Sequence, residues 1–317
     1  MSDNNLKILF AAVVMIFLAA MSGGSESGRS ASPSPSDSSA DGNLPKKFVL
    51  AATLGFLKSE PETALPFRKD WALLDPDLKV KSAVAVDLDS EADMYRFNTG
   101  ERWALASLSK LMSAVVAAEE LGLNSSIVMT EKAMSTEGVS GNFRLNEVYS
   151  SGDLIKAMLV VSSNRAAVAI ADSIGVLRFA DKMQMKANAL GMADTTFVEP
   201  TGLSFINQGT VEDLEKLMHY IHRNHPELLE IGRQKSVVLT EMISGASREI
   251  LNINTFVHTR PDFFGGKTGY TDQAGGNLIT IFEHEGRKLL YIVLGTDDRF
   301  GQTELLSNWT FRAFAFK

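Results

Sequence analysis

From residue 82 onward, the pattern of hydrophobic and polar positions predicts strands at both ends of the region and helices between them. Short apolar or alternating runs joined by tight polar turns predict strands, which we expect at 83–88, 93–97, 277–283 and 288–295. Longer runs with apolar residues every three or four positions predict helices, which we expect at 105–121, 153–161, 164–174, 177–190 and 303–316. Because strand pairs bracket a helical middle, the pattern favours an antiparallel sheet with the helices segregated from it.

Small and polar residues mark the ends of several predicted helices. The helix over 105–121 is apolar on nearly all sides until Glu119, which predicts that it is buried. Gly122 follows this helix, at a position where glycine readily adopts the left-handed turn that ends a helix. Asn164 carries a side chain suited to cap the start of the helix over 164–174.

The N-terminal region has a different composition. Residues 6–21 are apolar apart from Lys7, and a helix of that length would reach about 24 Å, just short of a comfortable membrane span. We therefore expect residues 1–21 to form a signal peptide or an N-terminal membrane anchor, with an uncleaved anchor slightly favoured. Residues 22–45 are rich in Ser, Gly and Pro and predict a disordered tether, which leaves residues 46–317 for the folded domain.

Charge and composition exclude several functions. The formal net charge is −7, and a chain without a dense stripe of Lys and Arg is a poor binder of nucleic acid. There is no cysteine, which excludes disulfides, thiolate catalysis and cysteine-ligated metal sites. His219, His222 and His225 are spaced by three, but a solvated helix end explains them better than a metal site does. We expect neither a metal nor a cofactor.

Ser107 and Lys110 stand three positions apart at the start of the buried helix. Residues with this spacing share a helix face, so the hydroxyl and the amine can meet. A serine becomes a good nucleophile when a base removes its proton, and a lysine can be that base if burial or a nearby cation lowers its pKa. Taken alone, the pair is better explained by a capping serine and a lysine whose amine reaches solvent.

Two further motifs change that balance. Ser162-Ser163-Asn164 stands at a break between predicted helices, where capping is again the ordinary explanation. The sequence Gly-Gly-Lys-Thr-Gly at 265–269 looks like the end of a phosphate-binding loop, but Pro261 replaces the first glycine that such a loop needs, and a strand follows. Phosphate binding is therefore rejected, and the glycines around Lys267 indicate a backbone that a substrate can approach closely.

Together, the three motifs resemble the S-x-x-K, S-x-N and K-T-G elements of penicillin-binding proteins and β-lactamases. From about residue 83 to residue 316 the chain resembles the low-molecular-mass penicillin-binding proteins, which are serine D-alanyl-D-alanine carboxypeptidases of the peptidase S11 type. The segments that carry the resemblance are 106–112, 189–192, 197–203 and 266–271. It implies a penicillin-recognising, β-lactamase-like fold of the α/β class (α+β type), in which helices flank an antiparallel sheet and a mainly helical subdomain separates the first motif from the third.

The resemblance also implies an activity and a set of roles. The enzyme would remove the terminal D-Ala from peptidoglycan stem peptides that end in D-Ala-D-Ala, outside a bacterial cytoplasmic membrane, and β-lactams would inhibit it covalently. Ser107 would be acylated, Lys110 would be its base and Ser162 would relay a proton to the leaving group. The substrate would be bound by Asn164, Lys267, Thr268, Gly269, Tyr270 and Arg299, with an oxyanion hole formed by the backbone N–H groups of Ser107 and Tyr270.

Some features leave alternatives open. Arg165 stands where the family usually has Asp, and Arg299 could equally be a surface residue at the end of a strand. A class A-type β-lactamase would need a Glu that activates the deacylating water, and the helical segment after Asn164 offers only Asp172 and Asp181. A catalytically silent peptidoglycan-binding homologue is the other alternative, and the intact nucleophile and lysines argue against it.

Overall fold

The computed structural model describes residues 65–138 and 140–316. The predicted N-terminal segment (1–21), the tether (22–45) and the start of the 46–317 domain lie outside the described residues, so these boundaries stay predictions. Within the part that is described, no helix combines the length and the hydropathy needed to cross a bilayer.

The described residues form thirteen β-strands and nine α-helices. The strands are β1 (Phe67–Arg68), β2 (Ser82–Asp87), β3 (Asp93–Phe97), β4 (Trp103–Ala104), β5 (Ser126–Val128), β6 (Val148–Ser150), β7 (Gln208–Gly209), β8 (Ser236–Thr240), β9 (Ser247–Leu251), β10 (Phe263–Thr271), β11 (Gly275–His284), β12 (Arg287–Thr296) and β13 (Phe314–Ala315). The helices are α1 (Ser109–Leu121), α2 (Glu131–Ser135), α3 (Ser151–Val160), α4 (Asn164–Ile174), α5 (Val176–Ala189), α6 (Val211–Asn224), α7 (Pro226–Gly232), α8 (Phe256–Thr259) and α9 (Arg299–Ala313).

One antiparallel sheet organises the domain. Its strand order is β10-β11-β12-β2-β3, so β2, near the start of the described residues, pairs with β12, near their end. The β11–β12 hairpin turns at Glu285 and Gly286, which have φ angles of 49° and 79°. Two consecutive residues with positive φ are typical of the tight turn that suits the twist of a two-stranded hairpin. This arrangement leaves β10, which carries the third motif, at one edge of the sheet.

The two faces of the sheet are covered by different layers. Because side chains alternate along a strand, Val84 and Val86 belong to the core cluster shared with α1, α3, α4 and α6. Ala83 and Ala85 point the other way, into a cluster with Leu306 and other residues of α9. The sheet therefore separates the C-terminal helix from the large helical region, which lies between the first and third motifs as expected.

Each predicted strand and helix has a counterpart in the structure, and four differences are notable. The Lys-Thr-Gly motif, which the sequence places before a strand, lies on the strand β10 itself. The predicted helix over 105–121 begins with a 3-10 turn at Ala106–Leu108 before α1. The predicted helix over 303–316 starts earlier, at Arg299, and ends at Ala313, because the next residues pair with β1 as a short strand. The side chain that caps α4 is that of Ser163, which accepts a hydrogen bond from the backbone N–H of Ala166, so the predicted cap at Asn164 is wrong by one residue.

Candidate active site

Ser107 lies on a tight turn that the sheet holds in place. The residue before it, Ala106, has a φ of 49°, a left-handed conformation that costs a residue with a side chain about 1–2 kcal/mol. The Asn277 side chain on β11 donates hydrogen bonds to the carbonyls of Ala104 and Leu105, at 2.8 and 3.2 Å. The nucleophile turn is therefore tied to the middle of the sheet just before Ser107.

Lys110 meets Ser107 as the spacing predicts. Its Nζ lies 2.9 Å from Ser107 Oγ and donates a second hydrogen bond to the Thr201 carbonyl at 2.6 Å. The Lys110 side chain has no solvent exposure, so its amine does not reach solvent and the structure excludes that simpler explanation. A protonated amine has no lone pair, so the Lys110 amine can accept the Ser107 proton only when it is neutral. It can still donate to the Thr201 carbonyl in that form.

A second lysine and serine meet on the other side of the same site. Lys267 Nζ lies 2.9 Å from Ser162 Oγ and 2.7 Å from the Thr268 carbonyl. Lys267 is 1% exposed, and Ser162 is a non-glycine residue at a φ of 56° between α3 and α4. Such strained conformations persist where the surroundings impose them and cluster at functional sites.

Burial controls the charge of both amines. It lowers the pKa of Lys110 from 10.5 to about 7, and the negative charge of Glu199 partly opposes the shift. Burial also lowers the pKa of Lys267 well below 10.5, and the positive charges of Lys110 and Arg299 lower it further. Because burial favours the neutral form of both amines, each is able to exchange a proton with the serine beside it.

The sheet edge that carries the Lys-Thr-Gly motif lies directly against the nucleophile turn. A Cβ atom added to Gly269 would lie 3.1 Å from the Leu105 carbonyl oxygen and 3.3 Å from Ala106 Cβ. Thr268 is buried, whereas the Tyr270 side chain is 64% exposed. Glycine at 269 therefore lets the strand approach the nucleophile turn, whereas the sequence predicted a close approach of substrate to this backbone.

Arg299 lies next to the part of β10 that carries the Lys-Thr-Gly motif. It is the first residue of α9, and its Nη1 donates a hydrogen bond to the Gly269 carbonyl at 2.8 Å. Burial lowers the pKa of its guanidinium. Arg299 is thus attached to the Lys-Thr-Gly strand, which favours a role in the site over a purely surface position.

Asn164 is near the site, but part of its amide is engaged. Its Nδ2 donates to the Glu137 carbonyl at 3.0 Å, and the neighbouring Ser163 Oγ donates to the Ser140 carbonyl at 2.7 Å. These two bonds attach the loop before β6 to the second motif. The bond to Glu137 uses one of the two N–H groups on Nδ2, so it leaves both a donor and the Oδ1 acceptor for contact with a substrate amide.

Three buried or half-buried polar residues in the surroundings of the site were not found from the sequence. They are Glu199, Asn207 and Asn277, which hold backbone segments beside Ser107 and Lys110. Glu199 belongs to the segment 197–203, whose Pro-Thr-Gly predicts a turn. The sequence does not show that this turn lies against Ala106, because that contact joins positions far apart in the chain.

The histidines that the spacing brought to attention have separate partners. His222 lies 3.1 Å from Asp89, whereas His225 lies 3.2 Å from Glu119. Within residues 65–138 and 140–316, no group of three or more His, Cys, Asp or Glu is placed to hold a metal ion.

Comparison with protein families gives a match across most of the domain. The model of the D-alanyl-D-alanine carboxypeptidase family, peptidase family S11, matches residues 70–298. The chain belongs to this family. Its members are peptidases, so the chain is a hydrolase with the penicillin-recognising fold that the sequence predicted.

Individual relatives of this family member carry two activities in their names. The chain is 30% identical to a D-alanyl-D-alanine endopeptidase of Escherichia coli, over 84% of this chain and 89% of that protein. It is 29% identical to the D-alanyl-D-alanine carboxypeptidase DacA of Haemophilus influenzae, over 77% of this chain and 65% of that protein. The domain is therefore shared by relatives named for cutting chain ends and by relatives named for internal cuts.

Solved structures agree with the fold of this D-alanyl-D-alanine carboxypeptidase family member. A D-alanyl-D-alanine carboxypeptidase of Mycobacterium tuberculosis matches with a TM-score of 0.70 at 26% identity, covering 76% of this chain and 94% of that one. Penicillin-binding protein D2 of Listeria monocytogenes, in its ampicillin-bound form, matches with a TM-score of 0.66 at 29% identity, covering 75% of this chain and all of that one.

Proposed function

We propose that the protein is a serine-type D-alanyl-D-alanine carboxypeptidase that removes the terminal D-Ala from peptidoglycan stem peptides through an acyl-enzyme on Ser107. The observation that carries the proposal is the pair of buried lysines, each within 2.9 Å of a serine hydroxyl. A site that only bound peptide would have no need of a lysine whose pKa is lowered to about 7 beside a serine.

Acylation begins at Ser107. Neutral Lys110 accepts the hydroxyl proton while Oγ attacks the carbonyl carbon between the two D-Ala residues. The negative charge that develops on the carbonyl oxygen is stabilised by the backbone N–H groups of Ser107 and Tyr270. These two groups are suited to the task because Gly269 lets the strand lie beside the nucleophile turn.

Breakdown of the tetrahedral intermediate requires a proton on the departing amine. Ser162, whose hydroxyl accepts a hydrogen bond from Lys267 at 2.9 Å, passes its own proton to the D-Ala nitrogen. The proton that Lys110 took from Ser107 replaces it, so Lys110 becomes neutral again. The carbon–nitrogen bond breaks, D-Ala leaves and Ser107 remains acylated. Water then attacks the ester carbonyl while neutral Lys110 takes a proton from it, and that proton returns to Ser107 Oγ as the carbon–oxygen bond breaks.

The terminal carboxylate of the substrate is the group that distinguishes a chain end. Lys267, the Thr268 hydroxyl and the Arg299 guanidinium lie along one strand end and provide donors for it. Asn164 is proposed to contact the stem-peptide amide through its side-chain amide. The same groups would bind the carboxylate of a β-lactam, in keeping with the ampicillin-bound form of the Listeria relative.

The contacts of three carboxylates argue against the β-lactamase alternative. Glu199 is the acidic residue whose charge acts on Lys110, but its two oxygens already accept five hydrogen bonds from its own loop and from Asn207. Asp172 is engaged by Thr130 and Lys132, and Asp181 is exposed on α5. None of these carboxylates is suited to activate a deacylating water.

The experiment is a turnover assay on a stem peptide that ends in D-Ala-D-Ala. Purified protein should release free D-Ala continuously, and Ser107→Ala should release none while it keeps its circular dichroism spectrum. A peptide cross-linked through D-Ala, run in parallel, separates carboxypeptidase from endopeptidase action. Binding of the peptide without release of D-Ala by the wild-type protein would favour the catalytically silent homologue.

The location of the enzyme is a second proposal, and it rests on sequence alone. The apolar residues 6–21 and the Ser-, Gly- and Pro-rich residues 22–45 support an N-terminal anchor and tether that hold the domain outside the bacterial cytoplasmic membrane. Deletion of residues 1–44 should move the protein from the membrane fraction to the soluble fraction without loss of hydrolysis. A deletion variant that stays with the membrane would contradict the anchor.

A further inference from the structure

A loop outside the three motifs lies against the nucleophile. Residues 199–204, here named the Glu199 loop, contain Gly202 at a φ of +80°. A Cβ atom added to Gly202 would lie 1.7 Å from the Ala106 carbonyl oxygen. The loop and the nucleophile turn are therefore in backbone-to-backbone contact one residue before Ser107.

The Glu199 carboxylate holds this loop together. Oε1 accepts the backbone N–H groups of Gly202 and Ser204, at 2.6 and 3.3 Å. Oε2 accepts the N–H of Thr201 at 2.7 Å and its hydroxyl at 2.6 Å. A carboxylate that accepts several N–H groups fixes a turn much as a helix cap does, because its charge strengthens each bond.

Asn207 fastens the loop to the helix of the nucleophile. Its Nδ2 donates to Ser109 Oγ at 3.1 Å and to Glu199 at both the backbone carbonyl and Oε1, at 2.9 and 3.2 Å. Asn207 has no solvent exposure. The Glu199 loop is thus braced against α1 on one side and against Ala106 on the other.

The loop presents one group to the site itself. The Thr201 carbonyl accepts the 2.6 Å hydrogen bond from Lys110 Nζ, and this bond sets where the amine lies relative to Ser107. Thr201 donates two hydrogen bonds to the Glu199 carboxylate, from its backbone N–H and its hydroxyl, and its carbonyl accepts the bond from Lys110.

We infer that Glu199 is a positioning residue for Lys110: its carboxylate fixes the Thr201 carbonyl, which holds the lysine amine in line with the Ser107 hydroxyl. This inference rests on the proposed function, in which Lys110 takes the proton of Ser107. Glu199 itself touches neither the serine nor the substrate, because its oxygens are engaged within the loop and by Asn207.

The charges around Lys110 predict how the pH dependence of acylation changes when Glu199 is replaced. Glu199 faces the amine from its loop with a negative charge that raises the pKa of Lys110, while burial lowers it. Lys267 faces it from β10, where a proton on one of the two amines disfavours a proton on the other, and the Arg299 guanidinium lies next to Lys267. If Glu199 becomes neutral, the pKa of Lys110 falls further, so the lysine stays a base at lower pH.

The test is the rate of acylation by benzylpenicillin, measured as a function of pH for the wild type, Glu199→Gln, Glu199→Asp and the control Glu212→Gln. Glu212 also accepts a hydrogen bond from a threonine hydroxyl, that of Thr99, at 2.5 Å, but it takes no part in the site. We expect Glu199→Gln to acylate up to about 10²-fold more slowly on the plateau, because small misplacements of a reacting group have effects of that size. The acid limb of its pH–rate profile, where the rate falls as the pH is lowered, should move to lower pH.

The other variants separate positioning from simple damage. Glu199→Asp keeps the charge on a shorter side chain, so its plateau rate should lie between those of Glu199→Gln and the wild type, with the acid limb unmoved. Glu212→Gln should match the wild type. A wild-type rate in Glu199→Gln, or a slow rate with an unmoved acid limb, would overturn the inference.

Two further outcomes are decisive. If Glu199→Gln does not fold, Glu199→Asp carries the test, and a wild-type acylation rate in that variant would overturn the inference. If the wild-type protein itself forms no adduct on Ser107, the proposed function fails and the inference fails with it, an outcome distinct from failure in the variants alone.

Discussion

The amine of Lys267 lies 2.9 Å from the Ser162 hydroxyl, although the two residues are 105 positions apart in the chain. The same distance joins Lys110 to Ser107 within one helical turn. One pair is thus made by local geometry and the other by the packing of β10 against the helical region. We assign the local pair to the attack on the substrate and the long-range pair to the leaving group and the carboxylate.

The first prediction concerns the base. Lys110→Ala should acylate about 10²–10⁴ times more slowly, which is the usual contribution of a general base, while the protein stays folded because α1 is buried on all sides over its first residues. The measurement is the rate of adduct formation with penicillin at neutral pH. Lys132→Ala, on the exposed α2, is the control and should acylate normally. Near-normal acylation in Lys110→Ala would refute the assignment of the base.

The second prediction concerns pH. Because burial lowers the pKa of Lys110 to about 7, the neutral base appears as the pH rises through this value, and the acylation rate should rise with it. Lys110 and Lys267 influence each other, so the acid limb belongs to the pair rather than to one residue. Stopped-flow acylation across this range is the measurement. A rate that stays flat on both sides of pH 7 would mean that no lysine of the site titrates there.

The third prediction concerns Arg299. Arg299→Ala should raise KM for D-Ala-ended peptides by roughly 10- to 100-fold, the loss expected for a hydrogen bond to a charged group, and should change kcat less. Arg299→Lys keeps the charge but not the paired donors, so its KM should lie in between. Arg312→Ala, on the exposed side of the same helix, is the control. Unchanged kinetics in Arg299→Ala would remove this residue from the carboxylate site.

The fourth prediction tests the close approach of the Glu199 loop to the nucleophile turn. Gly202→Ala combines a positive φ with an overlap against the Ala106 carbonyl, whereas the control Gly245→Ala has a similar φ of +71° and nothing within 4 Å. The control should lose about 1–2 kcal/mol of unfolding free energy through backbone strain alone. Gly202→Ala should lose more and should also acylate slowly. Equal losses in the two variants would show that the loop can move away freely.

Local sequence patterns predicted the elements of the site better than its assembly. Positions 93–97 and 164–174 were predicted with the bounds that the structure gives, because alternation and helical periodicity are local signals. The cap at Ser163 and the strand at Phe314–Ala315 were missed, since the first depends on one residue's dihedral angles and the second on pairing with β1.

The chemistry of the site was likewise predictable where it depends on local spacing and not where it depends on tertiary packing. Ser107 and Lys110 could be paired from their spacing, whereas their link to Ser162 and Lys267 came from the resemblance of three motifs to a known family. The depth of the pKa shift at Lys110 could not be predicted, because it depends on complete burial. Glu199 was also missed, because its contact to Lys110 runs through a backbone carbonyl that no side-chain pattern reveals.

The central claim, an acyl-enzyme on Ser107 without a dedicated deacylation base, is tested most directly by mass spectrometry of the protein after brief exposure to benzylpenicillin. We predict one penicilloyl group on the peptide that contains Ser107, with a lifetime of minutes or longer, because deacylation without a carboxylate dedicated to activating the water should be slower by about 10²–10⁴. An adduct on another residue, no adduct, or an adduct that disappears within seconds with continuous hydrolysis of penicillin would contradict the account.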